Sequence, residues 1–147
     1  MEMHKANRLG AVVSMLALVL CILIFLFRLW RMPGVERALG IVFLATAIPF
    51  TYLLLTAGSL QRPTLYYIQT GAILTFILLE LFLDYIFQIQ FRNVKWMTVL
   101  YVMCFFAGTG GLIGIASLAG RTWTVAAVIL FLLMTMLAFW QRVKTGM

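Results

Sequence analysis

Acidic side chains are nearly missing from this chain: four Asp and Glu in 147 residues, against eleven Lys and Arg. There is a single histidine, His4, and the two cysteines, Cys21 and Cys104, stand alone in separate apolar stretches. No His/Cys set is therefore expected to hold a metal, and no disulfide framework is implied. HExxH, GxSxG and Walker-loop patterns are absent as well, so nothing points to a zinc protease, a serine hydrolase or a nucleotide enzyme. The segment GTGGLIG lies inside an apolar run with no strand before it, which excludes a phosphate-cradling loop. No catalytic residue, cofactor site or metal site is expected.

Charge of either sign is scarce. Only 10% of residues are charged and 65% are hydrophobic, where a soluble domain carries about 25% charged residues. Too little polar surface remains for a soluble fold. The net charge of +7 does not indicate nucleic acid, because the Lys and Arg residues cluster at the ends of apolar runs. That placement orients a membrane protein and meets anionic headgroups. The expected partners are membrane lipids.

What the chain does have is long apolar runs. A bilayer core takes about 20 apolar residues per helix, and five segments qualify: about 9–30, 38–57, 65–89, 96–118 and 122–140. The fold expected is all-α, a polytopic membrane bundle of five transmembrane helices forming one domain over 1–147. The first run follows a basic start, but it is too long for a signal peptide and RLWR replaces a small-residue cleavage site. Trp30, Trp96 and Trp140 mark one face of the bundle, and Tyr66, Tyr67 and Trp123 mark the other, as rings do at headgroups. Seven basic residues fall on the first side (Arg28, Arg31, Arg37, Arg92, Lys95, Arg142, Lys144) and four on the second. The excess orients the C-terminus to the cytoplasm and the N-terminus outside.

The third run holds the main anomaly. Glu80 and Asp84 lie one helical turn apart in a stretch otherwise suited to lipid. An Asp at membrane depth costs roughly 2.5–3.5 kcal/mol on insertion scales, so such a residue marks a site by default. At 100° per residue, Gln69, Glu80, Asp84 and Gln88 share one sector of the helix. That stripe reads as a path or binding face for an ion, proton or polar ligand. The competing reading is structural pairing, with Arg28 near the same depth as the partner of Asp84.

Two other features bear on packing. Pro49 has no N–H and leaves the Ala45 carbonyl without its helical donor, so a kink is expected in the second span. Gly110, Gly111 and Gly114 form a small-residue face in the fourth span, where another helix can approach closely. Together these features support three functions. The first is a small membrane subunit for assembly, homo-oligomeric or joined to a partner subunit through the glycine face. The second is a small transporter or channel using Glu80, Asp84, Gln69 and Gln88. The third is a lipid-binding protein.

Overall fold

A computed structural model describes residues 3–87 and 94–145 of the chain. All its regular structure is helical. In order, the elements are α1 (Met3–Leu29), α2 (Pro33–Ala45), α3 (Ala47–Thr56), α4 (Thr64–Glu80), a π-helical turn (Leu81–Ile86), α5 (Lys95–Ser117) and α6 (Arg121–Thr145). Taking α2 with α3 and α4 with its π turn, there are five helices long and apolar enough to cross a membrane.

The helices run further than the apolar windows. α1 begins at Met3 and α6 continues to Thr145, since the backbone bonding of a helix does not stop where hydrophobicity fades. Two ends share one device. After α1, Met32 N–H donates to the Phe27 carbonyl at 3.0 Å, and after α3, Arg62 N–H donates to the Ala57 carbonyl at 3.0 Å. These six-residue loops require a left-handed residue, supplied by Arg31 (φ 55°) and Gln61 (φ 52°). A proline follows two residues later in each case: Pro33 is the first residue of α2 and Pro63 caps α4, positions where a missing N–H does no harm. The α5–α6 connection is only three residues long. It depends on Gly120 at φ +139°, a conformation that a β-carbon would strain.

The second span breaks at Thr46. Its N–H reaches back only three residues to Phe43 O, and its hydroxyl donates to the same carbonyl at 2.5 Å. This follows from Pro49, which cannot donate to Ala45, the last residue of α2.

α4 packs most extensively on α5, and α1 lies against α6, α5 and α2. The α4–α5 contact is close because α5 is glycine-rich there. A β-carbon at Gly108 would lie 3.2 Å from the Ile73 Cα, and one at Gly111 3.2 Å from the Gln69 carbonyl oxygen. The small-residue face thus packs within the chain. Gly110 points elsewhere, with nothing within 4 Å of an added β-carbon. The core between the helices is filled by large side chains including Leu18, Phe50, Ile73, Phe76, Leu112 and Ile115.

Candidate functional site

The end of the bundle at which α1 finishes, α2 begins, α4 finishes, α5 begins and α6 finishes encloses a cavity of about 430 Å³. Each of these helices contributes to its wall. Six charged residues line it: Arg28, Arg37, Arg142, Glu36, Glu80 and Asp84. Between and behind them stand aromatic rings, chiefly Phe25, Phe43, Phe76, Tyr101, Phe105 and Phe106. The volume falls within the usual range for a small-molecule site, and an apolar wall with a few convergent polar groups is the usual composition of one.

Glu80 is the last residue of α4 and is half-buried. The Tyr101 hydroxyl donates a hydrogen bond to its Oε1 across the α4–α5 interface. One turn further in, the Phe76 ring meets Tyr101 at 5.4 Å and Phe105 at 5.3 Å between centroids. Glu80 therefore sits where the aromatic cluster meets the polar part of the cavity.

Asp84 and Tyr85 are carried by the π turn, whose wider ring shows in the Phe87 N–H to Phe82 O bond at 2.9 Å. π segments occur often at functional sites. The Tyr85 hydroxyl lies over Gly40, which has no side chain to block it, and donates weakly to the Arg37 carbonyl at 3.4 Å. The Arg37 guanidinium in turn stacks on the Tyr85 ring at 5.4 Å.

Arg28 reaches Glu36. Its Nη2 is 2.6 Å from Glu36 Oε1, and its Nε donates to the same oxygen at 2.7 Å. Both side chains are mostly buried, 17% and 25% exposed. The pair bridges the turn between α1 and α2 at the cavity wall. Glu36 reads in sequence as a hydrophilic margin. The signal that identifies it is the turn itself, since a tight helical hairpin brings its two flanks together.

The residues singled out in the sequence thus divide. Glu80, Asp84 and Arg28 line one cavity. Gln69 does not: it lies against Gly111 and Gly114 of α5, further along α4. Gln88 falls outside the described residues. Pro49 sits in α3, away from the cavity lining. Among the described residues, no group of three His, Cys, Asp or Glu is placed to hold a metal ion.

Tyr101 and the ring cluster are absent from the sequence reading, yet a register argument reaches them. Glu80 and Tyr101, Phe76 and Phe105, and Ile73 and Gly108 are each equidistant from positions 90 and 91. In an antiparallel helix pair, residues equally far from the connection share a depth.

No known protein family, curated protein or solved structure matches the chain. Fold and site together define only a class: an all-helical bundle with five helices long and apolar enough to span a membrane, and a charged, aromatic-walled cavity at one end.

Proposed function

We propose that this chain is a multi-pass membrane protein that binds a small amphiphilic ligand, a lipid headgroup or a lipid-like molecule, in the cavity at its arginine-rich end. The cavity carries this reading. Its wall joins aromatic rings to three arginines and three carboxylates, a surface that accommodates a molecule with one apolar and one charged part. By the distribution of basic residues, this end faces the cytoplasm and the N-terminus lies outside.

The other readings gain less. An assembly subunit would use the glycine face of α5, but α4 of the same chain already occupies Gly108, Gly111 and Gly114. What then supports assembly is exposed apolar helix surface, which lipid covers equally well. Transport would need a route past the cavity, and Ile73 and Leu112, further along α4 and α5, are large apolar side chains that are fully buried.

The test is to fill the cavity. Val102 lines it, and Val102→Trp adds an indole there. Wild-type protein purified in mild detergent should carry a co-purifying amphiphile detectable by native mass spectrometry, and Val102→Trp should lose it. Wild-type protein that carries nothing and is stabilised by no added amphiphile would count against the reading.

A further inference from the structure

We propose, building on the amphiphile-binding reading above, that the cavity takes an anionic amphiphile: a sulfate, phosphate or carboxylate head held at the mouth by Arg37 and Arg142, with an apolar chain running inward.

The inference follows from which of the six charged groups in the wall are already engaged. Arg28 and Glu36 match each other at 2.6 Å. Glu80 accepts the Tyr101 hydroxyl, and Glu80 and Asp84 both interact with further groups of the protein. Arg37 and Arg142 form no ion pair with a described carboxylate. The two charged groups left for a ligand are therefore both cationic. The wider setting has the same sign. Among the described residues, Arg28, Arg31, Arg37, Lys95, Arg142 and Lys144 lie at this end of the bundle, six against the three carboxylates of the cavity wall. A cleft with an excess of one charge sign and low-dielectric walls concentrates ligands of the other sign.

The two arginines approach the cavity from different helices, Arg37 in the first turns of α2 and Arg142 in the last turns of α6. Both line it and both are exposed, so a head arriving from water or from the headgroup layer meets them first. Arg37 is held in place by the Tyr85 ring, 5.4 Å from its guanidinium carbon. Stacking of this kind uses the flat face of the guanidinium and leaves the N–H groups in its plane to donate as a fork to two oxygens. A sulfate, phosphate or carboxylate supplies those oxygens, and an ammonium does not. Further in, the wall is formed by Phe25, Phe76, Phe105 and Phe106. An alkyl chain needs only apolar contact there, whichever way the rings are turned.

The experiment uses the full chain in uncharged maltoside micelles, so that no lipid headgroup competes. Hexyl sulfate, hexanol and hexyltrimethylammonium are titrated below their micelle-forming concentrations, and inorganic sulfate is titrated as the head without a chain, all at constant ionic strength. Affinity is read from the shift in melting temperature with concentration. Hexyl sulfate should bind at least about tenfold tighter than the ammonium, the lower end of the enrichment that such a cleft produces, and tighter than hexanol or inorganic sulfate. The double variant Arg37→Gln, Arg142→Gln should remove most of this preference. The double variant Lys95→Gln, Lys144→Gln takes the same number of charges from the same end but outside the cavity wall, and should keep it. Ligand-free melting curves show whether each variant folds. If the arginine pair does not, Arg142→Gln alone should still lower the preference. Equal loss in the lysine variant overturns the assignment to Arg37 and Arg142, since general surface charge then explains the effect. Equal or tighter binding of hexanol or the ammonium, abolished by Val102→Trp, overturns the anion assignment while leaving the cavity as a binding site. Inorganic sulfate binding as tightly as hexyl sulfate, or failure of every probe to bind, overturns both.

Discussion

The Tyr101 hydroxyl donates to the Glu80 carboxylate, and so ties the end of α4 to α5 at the inner wall of the cavity. The bond joins the two helices beyond the glycine-lined part of their interface, and it holds Glu80 at the edge of the Phe76–Phe105 cluster. Tyr101→Phe removes the donor and keeps the ring. An intramolecular hydrogen bond contributes about 0.5–1.5 kcal/mol, so the variant should melt measurably lower than the wild type. Binding of any cavity ligand should weaken further. An unchanged melting temperature would show that the hydroxyl is dispensable.

Arg28 and Glu36 are expected to behave as a unit. Removing one partner of a mostly buried ion pair leaves the other charge without compensation. Glu36→Gln and Arg28→Gln should each destabilise by about 1–3 kcal/mol, less than a fully buried pair because both side chains retain some exposure. The double variant should cost less than the two single changes combined. A double-mutant cycle that gives no coupling contradicts the pair.

Gly108, Gly111 and Gly110 lie on one helix and should respond in opposite directions. At Gly108 and Gly111 an added methyl presses on the backbone of α4 at 3.2 Å, and backbone cannot move aside as a side chain tip can. Overpacking of this kind costs about 1–3 kcal/mol. At Gly110 nothing lies within 4 Å, and alanine is favoured over glycine in a helix by about 1 kcal/mol. Gly108→Ala and Gly111→Ala should therefore lower the melting temperature, and Gly110→Ala should hold or raise it. If Gly110→Ala is the most damaging of the three, Gly110 packs against a second copy or a partner, and the assembly reading gains the support it now lacks.

How much of this was legible beforehand follows from which forces leave a local trace. Lipid imposes long apolar runs, so five spans are readable. Pro49 removes a specific donor, so a break near Ala45 is readable as well. The interval from Glu80 to Asp84 is readable as one face, but the π turn that carries Asp84 is not, because no residue type signals a five-residue ring. The glycine face announces close approach but not the approaching helix: Gln69 reads as part of a polar stripe, not as a packing partner, and Ile73 is one apolar residue among many. By depth alone Arg28 reads as the partner of Asp84. Its bond to Glu36 depends on the geometry of the Trp30–Met32 turn, which in turn depends on Arg31 adopting a left-handed conformation that sequence does not favour.

Gly40 and Tyr85 give the sharpest test of the cavity rim. An added β-carbon at Gly40 would collide with the Tyr85 hydroxyl oxygen and lie 3.2 Å from the Cζ that carries it. The obstacle is thus one atom at the tip of a side chain. Gly40→Ala should push the Tyr85 ring outward, break its bond to the Arg37 carbonyl and loosen the stacking of Arg37. The expected loss is about 1–3 kcal/mol from overpacking. Tyr85→Phe alone removes only a weak 3.4 Å bond and should cost little. In the Tyr85→Phe background, however, Gly40→Ala meets only the Cζ contact, and the helix preference for alanine acts in its favour. The double variant should therefore be more stable than Gly40→Ala alone, a sign reversal measurable by melting curves of the four proteins. If Gly40→Ala is equally harmful with and without the hydroxyl, then Gly40 is required by its backbone or by another neighbour, and the π turn does not lean on α2 as described.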